Sequence, residues 1–256
     1  MSPLLATKGL TVRFGGLEAI GGLDLAVQRG TIHGLIGPNG AGKTTVLNVL
    51  TGFIRPTAGM LTFDGHEIGG LSVNAIAASG LARTFQNIRL FGAMTVLESV
   101  LVGAHRRFHA SPLGLIFGSA KARATEAAMI ERAYELLDFV GLGGTVADRV
   151  ATTLSYGHQR RVEIARALMS APKLLLLDEP LAGMNALEKT EIADLVRAVR
   201  DQGITVLLIE HDMQIVRSLC GHLTVLDYGK RLADGTPHAV LSDPLVQAAY
   251  LGRERV

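Results

Sequence analysis

The sequence predicts an α/β fold with an inserted helical lobe, and three observations carry that prediction. A Gly-rich octapeptide, Gly37-Pro38-Asn39-Gly40-Ala41-Gly42-Lys43-Thr44, stands between a strand-like apolar run and a helical pattern. Two further apolar runs, Leu174 to Leu177 and Ile204 to Ile209, are short and bordered by polar residues, as in strands buried on both faces of a parallel sheet. Residues 87–160 contain no comparable run and read as helical.

The elements follow in chain order. Leu23, Leu25 and Val27 alternate with Asp24, Ala26 and Gln28, and Arg29-Gly30 turn the chain toward Ile32-His33-Gly34-Leu35-Ile36, giving strand, turn, strand. Thr44 to Leu50 has no helix breaker, so residues 31–51 read as strand, Gly-rich loop, helix. Ile130, Ala133, Leu137 and Val140 mark a helix that Gly141 ends. Ile192, Leu195, Val196 and Val199 form one helical stripe between the two buried runs, with Gly203 as its stop. In the tail, Leu223 to Leu226, the turn Asp227-Tyr228-Gly229-Lys230 and Arg231 to Asp234 read as a hairpin, followed by a short helix. The expected organisation is one domain over 1–256, with 1–86 and 161–256 as the core and 87–160 as the inserted lobe.

Composition narrows the function. Lys plus Arg number 25 against 23 Asp plus Glu, so no basic field points to nucleic acid as a partner. Mean hydropathy is high at +0.32. Yet the longest stretch free of Asp, Glu, Lys and Arg runs only from Ile68 to Ala82, short of the roughly 18 apolar residues of a spanning helix. Cys220 is a lone cysteine and cannot form an internal disulfide, which fits a reducing compartment. Met1 to Leu5 lacks the basic-then-apolar pattern of an export signal, and the expected location is cytoplasmic.

The octapeptide satisfies G-x-x-x-x-G-K-[ST] in the context that motif requires, after a strand and opening a helix. Its glycines let successive N–H groups form an anion nest, and the helix N-terminus adds a positive dipole end. Gly37 through Thr45 are therefore the expected contacts of a polyphosphate, with Lys43 reaching the β- and γ-phosphates and the Thr44 hydroxyl on Mg²⁺. Asp178 and Glu179 close the buried run Leu174 to Leu177 at its C-terminal end, the edge at which open α/β sheets bind ligands. Asp178 suits a Mg²⁺ partner, and Glu179 a general base that activates water for in-line attack.

Leu154-Ser155-Tyr156-Gly157-His158-Gln159-Arg160-Arg161 resembles the ABC signature L-S-G-G-Q. Kinases and GTPases lack this element, and the chain from Leu10 to Gly252 is similar to ABC ATPases. More narrowly, it resembles the ATP-binding subunits of branched-chain amino-acid importers. That likeness rests on Arg13 to Gly16, Leu50 to Phe53, Ala82-Arg83-Thr84-Phe85-Gln86-Asn87-Ile88-Arg89-Leu90-Phe91, Leu154 to Ala167, Ala182 to Asn185, Ile209 to Met213 and Ala249 to Gly252. The resemblance implies a P-loop NTPase core of ABC type with an N-terminal antiparallel β portion and an inserted helical lobe.

It also implies roles. Two such subunits, alike or different, pair head to tail, and Ser155 and Gly157 touch the γ-phosphate of ATP held by the partner. Gln86 senses Mg²⁺ and the attacking water, His211 contacts the γ-phosphate, and Phe14 stacks on adenine. Three positions depart from the common pattern: Tyr156 replaces a signature glycine, His158 stands where Gln is usual, and Asn185 where many relatives have Asp.

The implied partners are transmembrane permease subunits and, indirectly, an external solute-binding protein, with the chain peripheral on the inner face of the cell membrane. Branched-chain or other hydrophobic amino acids are the expected solutes, with urea or amide uptake and lipid export as neighbouring readings. A soluble ABC ATPase acting on DNA or the ribosome is the rival class; the second ATPase domain, coiled coil or basic arm typical of that class is not seen in this sequence. His105-Arg106-Arg107 and Lys121-Ala122-Arg123 read as a solvated helical face.

Overall fold

The computed structural model describes residues 2–86, 88–105 and 120–251. In chain order it forms β1 (Leu5–Phe14), β2 (Leu17–Val27), β3 (Ile32–Ile36), α1 (Lys43–Leu50), β4 (Ala58–Phe63), β5 (His66–Glu67), α2 (Val73–Ala78) and β6 (Leu81–Arg83). Then come α3 (Val96–Leu101), α4 (Ala120–Phe139), α5 (Tyr156–Met169), β7 (Leu174–Asp178), α6 (Ala186–Asp201), β8 (Thr205–Ile209) and α7 (Met213–Leu219). The chain closes with β9 (His222–Asp227), β10 (Lys230–Gly235), α8 (Pro237–Leu241) and α9 (Pro244–Leu251).

Two sheets result. A four-stranded antiparallel sheet has the order β2-β1-β4-β5, and a six-stranded sheet the order β10-β9-β3-β8-β7-β6, in which β9 through β6 run parallel. The strands at Leu23 to Val27 and Ile32 to Ile36 fall in different sheets, so the turn at Arg29-Gly30 is a crossing between layers rather than a hairpin.

The parallel strands are apolar on both faces because a core lies on each side. Successive side chains of a strand point to opposite faces. Leu175 and Leu177 of β7 and Val206 and Leu208 of β8 enter the core shared with α3 to α7. Leu174, Leu176, Leu207 and Ile209 enter the other, shared with α1 and the antiparallel sheet. Helix α1 is thus held between the two sheets by Val46, Leu47, Val49 and Leu50. That packing immobilises the loop that precedes it.

Between β6 and β7 the described backbone consists of α3, α4, α5 and short 3-10 turns joined by loops, with one isolated bridge, Thr95 to Val150. Helix α5 runs through residue 160 without a break, so one helix carries Ser155 at its N-cap and packs the sheet with its later turns. The uncharged stretch Ile68 to Ala82 holds only the six-residue α2 and part of β6. No helix among the described residues is long and apolar enough to cross a membrane. Asn87, Arg106, Arg107 and Gly252 lie outside the described residues, as do the side chains of Lys121 and Ala122.

Candidate active site

Gly37 to Thr45 wrap the C-terminal end of β3 and the first turn of α1. At Gly37 φ is 151°, and a Cβ there would lie 2.2 Å from the Leu226 carbonyl oxygen, so the tight passage beside β9 admits only glycine. Lys43 folds back over the loop, its Nζ donating to the carbonyls of Gly37 (2.6 Å) and Pro38 (3.0 Å). A cavity of about 460 Å³ opens above, lined by Asn39 to Thr45 together with Gln86 and Glu179. Residues distant in sequence are gathered there by the parallel order of β3, β8, β7 and β6.

Glu179 follows β7 directly, and its geometry is specific. Its φ is +47°, a left-handed conformation that costs a non-glycine residue roughly 1 kcal/mol or more. Its N–H donates to the Ile209 carbonyl at 3.0 Å. One carboxylate oxygen accepts from the Gln86 amide nitrogen at 2.7 Å and lies 4.0 Å from His211 Nδ1. The three residues therefore meet at one oxygen at the end of the cavity.

Asp178 is buried, and its carboxylate pairs with Arg83 at 3.0 Å. Arg83, from β6, also donates to Asn48 Oδ1 on α1 at 2.8 Å and lies 5.2 Å from the centre of the Phe85 ring. Glu210, immediately before His211, is fully buried and accepts from the backbone N–H of Leu181 (3.0 Å) and of His211 (3.2 Å). Burial pushes the Glu210 carboxyl above its ordinary range, and those two backbone bonds oppose the shift. Arg83 and Glu210 thus fix the residues on either side of Glu179.

A family model described as "ABC transporter" matches residues 20–182, which span the phosphate loop, Gln86, Asp178 and Glu179. The chain belongs to the ABC transporter family. A second model, for branched-chain amino acid ATP-binding cassette transporters, matches residues 230–256 of this ABC ATPase. The branched-chain amino acid transport ATP-binding protein BraF of Pseudomonas aeruginosa is 47% identical over 251 residues, covering 98% of each chain. LivG of Escherichia coli, of the same description, is 42% identical with the same coverage. Among solved structures, the ADP conformation of an ATP-binding cassette from an ABC transporter superposes with a TM-score of 0.85 at 34% identity, covering 99% of this chain and 100% of that one. A nucleotide-free cassette gives 0.84 at 35% identity, covering 96% and 98%.

The signature of this ABC ATPase lies apart from its own phosphate-loop cavity, whose lining includes neither Ser155 nor Gly157. Ser155 is exposed at the N-cap of the 14-residue α5 and makes no side-chain cap bond. Gly157 is buried, and a Cβ there would come 3.2 Å from Glu188 of α6. Tyr156 is exposed on the same turn, with its hydroxyl 3.5 Å from Arg160. Asn185 caps α6 in a reciprocal box with Glu188, a task Asp performs equally, so the amide leaves the helix start intact. Phe14 ends β1 half-exposed and is not among the residues lining the cavity, where Leu17, Glu18, Ala19 and Tyr228 stand.

Arg160 joins the signature helix to the loop of Gln86. Fully buried, it donates to the carbonyls of Phe85 and Gln86, both at 2.8 Å, and pairs with the buried Glu163. Burial pushes the Glu163 carboxyl up, against the pull of Arg160 and Arg166. The roles of Arg83, Arg160, Glu163 and Glu210 carry no signal of their own in the motifs; only their position next to motif residues hints at them.

Proposed function

We propose that this ABC ATPase hydrolyses ATP to energise uptake of branched-chain amino acids through a membrane permease. The carrying observation is Glu179, held by Gln86 and facing His211 at the end of the phosphate-loop cavity. In the proposed reaction the backbone amides of Gly37 to Thr45 and Lys43 hold the phosphates, and the three side chains surround the attacking water. The water oxygen forms a bond to the γ-phosphorus as the bond to the β-phosphate bridging oxygen breaks. Glu179 takes the water proton, and His211 orients the γ-phosphate.

The donor set fits Mg²⁺. Thr44 and Asp178 are hard oxygen donors, and Gln86, which gives its amide nitrogen to Glu179, keeps its amide oxygen for a cation. No cluster of three His, Cys, Asp or Glu suited to a metal occurs among the described residues, which suits an ion held mainly by phosphate and water. When bound, the ion neutralises charge on the β- and γ-phosphates.

The separation of Ser155 and Gly157 from their own cavity supports a head-to-tail pair, in which each signature helix N-terminus faces the partner's ATP. Phe14, at the end of β1 beside the β2 residues Leu17, Glu18 and Ala19 that line the cavity, is proposed to stack on one face of adenine. A second cavity of about 290 Å³, lined by Phe53, Ile76, Phe85, Val102, Glu163 and Arg166, adjoins the Gln86 loop. It suits a cytoplasmic helix of the permease, and such docking supports the reading of the subunit as peripheral on the inner membrane face. Amino acids as cargo follow from the carboxy-terminal family match and from the relatives' descriptions.

Cells deleted for this chain are expected to lose energy-dependent uptake of labelled leucine, isoleucine and valine, and to recover it with the wild-type gene but not with Lys43→Ala. Unchanged amino-acid uptake, or loss of urea uptake instead, contradicts the cargo assignment.

A further inference from the structure

The β9–β10 turn carries a residue whose backbone and exposure are both unfavourable. Lys230 pairs with Asp227, so Tyr228 and Gly229 form a two-residue hairpin loop, and both have positive φ, 45° and 75°. That is the pattern of a type I′ turn, whose first position ordinarily takes Asn, Asp or Gly. A tyrosine there bears left-handed strain. Tyr228 is also 74% exposed.

The turn is held in place against the phosphate loop. Gly229 N–H donates to the Ala41 carbonyl at 2.9 Å, and its own carbonyl accepts from Gly21 N–H at 3.0 Å. A Cβ on Gly229 would lie 2.3 Å from the Ala19 carbonyl oxygen. The neighbouring ring is therefore presented from a fixed base. It lines the phosphate-loop cavity with Leu17, Glu18 and Ala19, whereas Gln86 and Glu179 line the hydrolytic end.

We infer that Tyr228 is an affinity-determining residue for the nucleoside part of ATP, its ring packing against the purine. The inference rests on the ATP reading of this site. With the phosphates on Asn39 to Thr45 and the γ-phosphate toward Glu179, the base extends away from the hydrolytic end. There it meets the apolar body of Leu17 and the tyrosine ring. Aromatic packing on a base tolerates any orientation of polar edges and is available to an exposed side chain.

Calorimetric titration of purified protein with Mg-ATP and with inorganic tripolyphosphate separates base from phosphate recognition. Tyr228→Asn relieves the turn strain and is expected to unfold at an equal or higher temperature. It is expected to bind ATP about tenfold more weakly and to bind tripolyphosphate as the wild type does. Tyr228→Phe keeps ATP affinity. If Tyr228→Asn binds ATP like the wild type, or loses ATP and tripolyphosphate affinity equally, the inference is overturned while the ATP reading stands. If the wild type and Lys43→Ala bind neither ligand, both fall together.

Discussion

Arg160 shows at the residue scale how the site is held. Its guanidinium is fully buried; the two terminal nitrogens pair with Glu163 and with the Phe85 and Gln86 carbonyls, and the buried Nε makes no hydrogen bond among the described residues. Removing one member of a buried pair leaves an uncompensated charge, at a cost of about 3–5 kcal/mol. Arg160→Met leaves Glu163 only its longer pair with Arg166, at 3.4 Å, and is expected to lower unfolding free energy by up to about that amount in a denaturant titration. Asn185 makes a contrasting case. Asn185→Asp should leave stability nearly unchanged, whereas Asn185→Ala should cost about 1 kcal/mol by losing the α6 cap. Equal losses in both variants would show that the side chain does something other than capping.

Residues also differ in how legible they are. Lys43, Thr44, Asp178 and Glu179 announce themselves because phosphate chemistry demands fixed types at fixed spacing beside one strand or one helix. Arg83 meets Asp178 across 95 positions, and nothing in local periodicity marks such a pair. Tyr228 reads as an ordinary turn residue until its φ and the adjoining cavity are known.

At the scale of elements, the long and buried ones were readable and the short edge ones were not. Strands β7 and β8 declare themselves as apolar runs because cores cover both their faces. Strand β6 has three residues and exists through its pairing with β7, Leu81 opposite Leu174. Helix α2 has six residues and buries one side chain, Ile76, too little for a periodic signal.

A polar cluster, buried at His33 and Thr224 and partly exposed at His222 and Asp234, spans three neighbouring strands. His33 of β3 bonds Thr224 of β9 at 2.9 Å, Thr224 donates to Asp234 of β10 at 2.6 Å, and His222 lies 2.9 Å from the other Asp234 oxygen. Burial, reinforced by His222 and opposed by Asp234, holds His33 down at about 4 from an ordinary 6.5. The unfolded chain thus binds a proton between these values that the folded chain excludes. Stability is complete above pH 6.5 and falls by about 3 kcal/mol as pH drops to 4, with no further loss from this group below that. His33→Gln should flatten this part of the stability profile; an unchanged slope would place its origin elsewhere.

For the molecule as a whole, the two-sheet packing around α1 makes the phosphate loop rigid, while one helix, α5, links the signature to the loop of Gln86. In the proposed mechanism a subunit built this way supplies the hydrolytic end of one site and offers the exposed Ser155, at the N-cap of α5, to a second subunit. ATP binding favours the closed pair only through its higher affinity for that state.

Hydrolysis and ATP-dependent dimerisation of purified Glu179→Gln, measured beside the wild type, test the central claim most directly. The account predicts that the variant loses hydrolysis and accumulates as an ATP-bound dimer. A variant that hydrolyses ATP at the wild-type rate would contradict the assignment of Glu179 as the base.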